Sequence, residues 1–398
     1  MGAYFRDLYQ DYCRRRREDG LSRSIRAFGP VRAGRSQAGA RELLNFSSND
    51  YLGLATHPEL AARAALWAQR WGAGAGASRL VTGTFDAHLA VERKLANLKQ
   101  TEAALVFPAG FQANVSVLAA LLDRRILGLE PLVFADRLNH ASLHLGCQAA
   151  GARQRRYRHN DLAHLESLLA AADHEKRPKF ILTESVFSMD GDRADIARLA
   201  ALAARHNALL YVDEAHATGV LGPGGGGLTA GISGDHLLAM GTFSKALGGM
   251  GAYVAGPQDL IDFLVQTAAG FVYSTAVAPP VLGMMDAALD LMPAMEGARA
   301  ELARSADRLR AAFQAAGFGT GASDTQIVPL ILGPSARAQA FARALEEAGI
   351  LGVAIRPPTV PQGQARVRFA VTAAHGEADL DRLITCIARL GRNRVAAE

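Results

Sequence analysis

Residues 208–219 read A-L-L-Y-V-D-E-A-H-A-T-G, and residues 237–251 read L-L-A-M-G-T-F-S-K-A-L-G-G-M-G. Each stretch opens on a short apolar run and breaks abruptly into polar and glycine residues. Apolar runs of this length without alternation suit strands buried on both faces of a mainly parallel sheet. The same signature recurs at 103–107, 131–135, 180–183 and 252–255, with Ala/Leu-rich helical stretches between the runs. This is α/β patterning, and it predicts a large domain with a mainly parallel sheet flanked by helices. Open sheets of this kind bind ligands beyond the carboxyl ends of their strands. The residues just after each run therefore matter: Gly110 after the first, then Asp136 with His140, Glu184, Asp213 with His216, and Thr242 with Lys245. These residues are expected to converge on one crevice.

Outside this block the pattern changes. Residues 1–50 read as a helix and a short extended segment, and beyond about 290 long Ala/Arg/Leu helices alternate with strands near 327–332 and 366–371. The expected organisation is a large ligand-binding domain over 51–290 and a smaller α+β domain built from 1–50 and 291–398. The glycine-rich stretch 222–227 reads as a surface loop. No Gly-Lys-Ser/Thr comes after it, so it is not a P-loop.

The composition, 49% hydrophobic and 20% charged over 398 residues, is that of a globular chain long enough to bury substantial cores. Cys13, Cys147 and Cys386 lie far apart, which suggests neither a disulfide framework nor a zinc knuckle and fits a reducing compartment. The first residues carry charge where a signal peptide would be apolar, and no apolar run reaches the ~20 residues of a membrane helix. A cytoplasmic protein with no membrane partner is expected. The net charge of +5 is spread thinly. Its one dense run, Arg14 to Arg17, reads as the solvated face of a helix, so nucleic acid is not an expected partner.

Lysine is scarce, at 94, 99, 176, 179 and 245 only. Lys94 and Lys99 lie on an amphipathic helical stretch and Lys176 and Lys179 in a charged loop, so both pairs read as surface. Lys245 comes after a buried strand among small and apolar residues, where desolvation disfavours an ammonium and leaves an amine able to form a Schiff base. Asp213 ends a strand 32 residues earlier, a separation that fits one helix and a return strand. A buried carboxylate needs a partner, and a protonated pyridine nitrogen is one that also explains the lysine. A second reading makes Asp213, His216, Glu184 and His140 metal ligands. It leaves Lys245 without a role, and no metal is expected. Gly110 and Phe111 stand where a strand turns into an apolar helix, so their amides suit a phosphate. His140 reads either as an aromatic ring for stacking or as a helix cap.

Taken together, these residues resemble the α-oxoamine synthase family of fold-type I pyridoxal-phosphate enzymes. The resemblance rests on N-F-S-S-N-D-Y-L-G-L at 45–54, E-S-V-F-S-M-D-G-D at 184–192, V-D-E-A-H-A-T-G-V at 212–220 and T-F-S-K-A-L-G-G at 242–249. It implies that Lys245 carries pyridoxal 5′-phosphate, that Asp213 pairs with the ring nitrogen, that His140 stacks on the ring and that His216 meets its phenolic oxygen. It further implies that Gly110, Phe111, Ser188 and Thr242 bind the cofactor, and that Arg23, Asn49, His140 and Thr359 contact substrates. Arg356 would hold a substrate carboxylate, for which a guanidinium fork is well shaped. Y-S-T at 273–275 resembles a segment lent to the phosphate of a neighbouring subunit, with Ser274 and Thr275 as contacts, which implies a homodimer with shared active sites. The stretch A-I-R-P-P-T-V-P-Q-G-Q-A-R-V-R-F-A-V-T-A-A-H at 354–375 is similar to the branch that serves biotin synthesis. That branch condenses L-alanine with pimeloyl-CoA or a pimeloyl-acyl-carrier protein, with loss of carbon dioxide. The alternative within the family is glycine with a short acyl thioester such as acetyl-CoA.

Overall fold

Seven strands build the central sheet: β1 (Ala103–Phe107), β2 (Leu132–Asp136), β3 (Gln154–Tyr157), β4 (Lys179–Glu184), β5 (Ala208–Asp213), β6 (Leu237–Thr242) and β7 (Ala252–Gly256). Their order across the sheet is β1-β7-β6-β5-β4-β2-β3. From β3 through β6 each neighbouring pair is parallel, while β7 runs antiparallel to both β6 and β1. The architecture is the α/β, mainly parallel one read from the apolar runs. The strand missing from that reading is β3, whose Q-R-R-Y is short, polar and at the sheet edge, where one buried residue suffices to dock it.

The computed structural model describes residues 2–30, 32–232 and 234–395. The chain forms two units. The larger comprises residues 49–188 and 192–301, and the smaller takes the chain up to Ser48, Met189–Gly191 and the chain from Leu302 onward.

Strand alternation sorts the larger unit's side chains into two cores. Leu132, Phe134, Ile181, Leu210 and Val212 share a cluster with Leu165, Leu169 and Leu199 on one side of the sheet. Val133, Ala135, Phe180, Leu182, Tyr211, Leu238 and Met240 share the other with residues of α1 (Gly110–Leu121) and α2 (Ala141–Ala149). The two helices approach closely because position 146 is glycine. A Cβ there would lie 2.7 Å from Leu118 Cβ and 2.9 Å from the Asn114 carbonyl oxygen.

In the smaller unit a helix over Gly2–Glu18 precedes an antiparallel pair, Arg35–Ala38 with Arg41–Asn45. A second antiparallel sheet joins Ile327–Gly333, Ala365–Ala370 and Val353–Ile355. Arg14, Arg15 and Arg17 of the basic run are exposed, with Arg14 paired to Asp11 and Glu18 on the same helix, while Arg16 is half-buried and donates to the Leu21 carbonyl at 2.9 Å. The tripeptide 189–191 is fixed to this unit by Asp190, 2.5 Å from Arg366, and by Gly191. Gly191 has φ 72°, and a Cβ on it would stand 2.0 Å from the Ile327 carbonyl oxygen. Only glycine fits that approach.

Three surface expectations are corrected. Lys99 is wholly buried and ion-paired with Glu214, itself wholly buried, and donates to the Gly226 carbonyl at 2.6 Å. The stretch 222–227 is a surface loop in its first half alone: Gly222 and Pro223 are exposed and Gly224 half-buried, while Gly225, Gly226 and Gly227 are buried, with the Gly226 carbonyl accepting from Lys99 and Gly227 packed on Glu214. Lys179 is largely enclosed, between Asp173 at 2.9 Å and the His206 carbonyl at 3.2 Å.

Candidate active site

Alternation along the parallel strands decides which chemistry faces α1 and α2. Asp213 is in phase with Tyr211, Glu184 with Leu182, and Thr242 with Met240, so all three belong to the side on which those helices pack. Register places Glu184 opposite Asp213, and Asp213 opposite Met240, at the carboxyl ends of three adjacent strands. Asp136 ends its strand too but is used differently. Its oxygens accept from the amides of Leu138 and Asn160 and from His159, so it organises turns instead of joining the cluster.

Asp213 is 5% exposed. Among the described residues its donors are neutral amides: Asn114 Nδ2 at 2.7 Å on Oδ2 and the Ala215 N–H at 2.9 Å on Oδ1. Glu184, beside it, is buried, and burial together with the charge of Asp213 drives its pKa well above the usual carboxylate range. One of its oxygens accepts the His140 backbone N–H at 2.6 Å.

Lys245 stands past the end of β6 in a turn secured by Thr242, whose hydroxyl bonds Ser244 Oγ at 2.7 Å and the Gly251 carbonyl at 2.8 Å. Its Nζ lies 2.9 Å from His216 Nε2. His216 Nδ1 is 2.6 Å from the Tyr51 hydroxyl, which also reaches Asn49 Oδ1 at 3.1 Å. Asn49, Tyr51, His216 and Lys245 thus form one hydrogen-bonded chain ending on the amine.

Of the two roles read for it, His140 takes that of helix cap. It is the N-cap of α2, accepting the Ser142 N–H on Nδ1 at 3.3 Å, while the residue as a whole is exposed. Enough of the imidazole is enclosed for burial to push its pKa below the ordinary histidine value. The charge of Asp213 acts against that shift and the charge of Lys245 with it.

Helix α1 starts after Ala109 with no side-chain cap, so its first amides, Gly110 and Phe111 among them, are available to an anion. A Cβ on Gly110 would lie 3.8 Å from Thr242 Cβ, which places the helix start beside the lysine turn. The Phe111 ring is exposed. Gln112, in the same first turn, donates to Ser274 Oγ at 2.6 Å, and Thr275 bridges to Ser78, so 273–275 is tied down within its own chain while Tyr273 is 85% exposed. Ser188 is half-buried at the end of its segment of the larger unit.

Arg23, Arg356 and Thr359 belong to the smaller unit. There Arg356 donates to the carbonyls of Gly20 and Ser22, and the Thr359 N–H donates to the Arg356 carbonyl at 3.1 Å, so the 20–22 turn and the 356–359 segment are joined. Arg23 is exposed.

Sequence reasoning missed Tyr51, Asn114 and Ser142. Tyr51 stands inside the quoted N-D-Y. Asn114 stands one helical turn after Gly110, on the face that begins at the strand end, and that spacing was its signal. Among the described residues no three His, Cys, Asp or Glu side chains are grouped to hold a metal ion. The carboxylates and imidazoles of the metal reading are engaged by amides, Tyr51 and Lys245 instead.

Residues 41–387 match the family model for class I and II aminotransferases. The chain is 57% identical over 386 residues to 8-amino-7-oxononanoate synthase of Gluconacetobacter diazotrophicus, covering 96% of each chain. It is 47% identical over 381 residues to that of Geobacter sulfurreducens, covering 94% of this chain and 96% of the relative. The chain belongs to the 8-amino-7-oxononanoate synthase family. A solved structure of the synthase family, from Francisella tularensis, superposes with a TM-score of 0.76 at 25% identity, over 89% of this chain and 99% of the other. Serine palmitoyltransferase of S. paucimobilis, solved with PLP and myriocin bound, superposes with a TM-score of 0.89 at 26% identity, over 98% of each chain. The donor set of this site suits the cofactor of that neighbour. A primary amine, a nearly buried carboxylate held by neutral donors, a partly enclosed imidazole and an uncapped helix N-terminus match an aldehyde, a ring nitrogen, a ring face and a phosphate.

Proposed function

We propose that the chain catalyses the decarboxylative condensation of L-alanine with a pimeloyl thioester of coenzyme A or acyl-carrier protein. The products are 8-amino-7-oxononanoate, carbon dioxide and the free thiol, a step of biotin synthesis. The observation that carries the chemistry is Lys245 Nζ at 2.9 Å from His216, with Asp213 at the end of the neighbouring strand on neutral donors. The choice of substrates rests on the names of the relatives.

Pyridoxal phosphate, when bound, supplies an electron sink for the α-carbon of the amino acid. Lys245 would hold it through Nζ, and the same amine, when free, could take up a proton at the α-carbon of the amino acid and return one. Asp213 would keep a proton on the ring nitrogen, His216 would meet the phenolic oxygen and His140 would cover the ring. The amides of Gly110 and Phe111 would bind the phosphate, and Ser188 and Thr242 would complete the cofactor site. Arg23, Asn49, His140 and Thr359 position substrates, and Arg356 pairs with a carboxylate. The protein works as a homodimer in the cytoplasm, with the 273–275 segment of one subunit serving the phosphate of its neighbour through Ser274 and Thr275. The exposed Tyr273 and Phe111 support this reading, since both await cover.

The test is turnover of purified, cofactor-loaded protein with L-alanine and each pimeloyl thioester, read as free thiol and by product mass. Product from either donor supports the proposal. Failure with both, alongside turnover of glycine with acetyl-CoA, would reassign the chain to another oxoamine synthase reaction.

A further inference from the structure

The three residues that the motifs did not flag include two, Asn114 and Ser142, that bridge Asp213 and His140. Asn114 is 1% exposed and Ser142 fully buried. Asn114 Nδ2 donates to Asp213 Oδ2 at 2.7 Å and to Ser142 Oγ at 2.9 Å, while Asn114 Oδ1 accepts the hydroxyl of buried Tyr211 at 2.8 Å. The amide has one workable orientation, because turning it over would aim its carbonyl oxygen at the carboxylate. Ser142 Oγ therefore accepts from Asn114 and keeps its own proton for another partner. That partner is His140 Nδ1, 2.7 Å away, which the Ser142 backbone N–H also approaches at 3.3 Å. With two donors converging on it, Nδ1 is an acceptor. The imidazole proton then sits on Nε2.

We propose that Asn114 and Ser142 are positioning residues that fix His140 as the tautomer protonated on Nε2 and tie that choice to the Asp213 carboxylate. The consequence rests on the reading of His140 and Asp213 as cofactor-facing groups. The ring turned toward the cofactor then carries a donor N–H on Nε2, the nitrogen not spent on capping α2, and it stays neutral because protonating Nδ1 would break the cap. The arrangement also explains Gly146, whose missing side chain lets α2 lie close enough to α1 for Ser142 to reach Asn114.

Histidine-ring nitrogen NMR of the cofactor-loaded protein, with the His140 signal assigned by its loss in His140→Gln, tests the tautomer without reference to turnover. The expected result is an unprotonated Nδ1 and a protonated Nε2. A proton on Nδ1 would overturn the proposal. In Ser142→Ala the neutral ring loses a donor while the backbone cap stays, so its titration should move to higher pH by about one unit, the size of one hydrogen bond. Ser142→Thr, which keeps a hydroxyl, should return it to the wild-type position. Asn114→Asp should act like Ser142→Ala, because it offers the serine hydroxyl a carboxylate in place of His140. The acid limb of the kcat profile should show the same shift. An unchanged titration in Ser142→Ala would refute the relay even in a fully active enzyme, whereas an inactive enzyme with the expected tautomer would instead count against the proposed function.

Discussion

Replacing Lys99 by Met tests how much the buried ion pair behind the active strands contributes. The Lys99 and Glu214 side chains are both 0% exposed, and Lys99 holds two acceptors, the Glu214 carboxylate and the Gly226 carbonyl. Glu214 keeps the Thr229 N–H at 3.0 Å and its hydroxyl at 2.6 Å, so Lys99→Met leaves it partly bonded but with no opposite charge from that lysine. Met matches the stem length, so the loss is electrostatic and not a cavity. Removing one member of a buried pair costs about 3–5 kcal/mol. For cooperative unfolding of 398 residues at about 2.1 cal/mol/K per residue, the unfolding entropy is about 0.8 kcal/mol/K. The expected drop in Tm is about 4–6 °C, read by differential scanning calorimetry. Glu214→Gln added to Lys99→Met removes the stranded charge and retains an acceptor for the Thr229 N–H, and should recover at least half of the loss. A single variant within about 1 °C of wild type, or a double variant no better than the single, would refute the reasoning.

Lys245→Ala should fold with an unchanged far-ultraviolet circular dichroism spectrum and lose both the visible band of covalently held cofactor and turnover; retained turnover would show that another amine does the work. Asp213→Asn should still bind cofactor, but with kcat lowered about 10- to 100-fold, since a hydrogen bond to a charged group is worth about 1.5–3 kcal/mol. Steady-state rates at wild-type level would mean that the ring nitrogen has another partner. For His159, burial opposes the charged form, but Asp136 at 3.0 Å and Asp192 at 2.8 Å outweigh it and raise the pKa from 6.5 to about 10. A histidine raised in the folded state contributes stability that is full below about 6.5 and is lost as pH rises through about 10. Denaturant titrations of His159→Gln and wild type should therefore differ most near pH 6 and converge above pH 10, and a gap that widens with pH would contradict the ion pairing.

The elements that could be read directly were those whose signal is local. Six apolar runs became β1, β2, β4, β5, β6 and β7, because a strand buried on both faces must be apolar throughout. The strand-end residues Asp213 and Lys245 were legible for the same reason, as polar groups at the carboxyl edge of buried strands. Lys99 was not legible, because its partner Glu214 lies 115 residues away and nothing in V-E-R-K-L-A-N-L-K distinguishes a buried lysine from a surface one. Gly226 and Gly227 were hidden likewise, since they pack on that pair.

The amino-acid sequence by itself determined the α/β class, the order of the strand-end groups and which lysine stands after a buried strand, since each depends on a run of neighbouring residues. Only the tertiary structure decided that Tyr51 and Asn49 stand in line with His216 and Lys245, and that Asn114 and Ser142 bridge Asp213 to His140. Those contacts span separations of up to 165 residues. Hydrogen bonds are decided over a few ångströms in space, so they depend on how β5 and β6 are laid side by side and how closely α1 and α2 pack, not on adjacency along the chain.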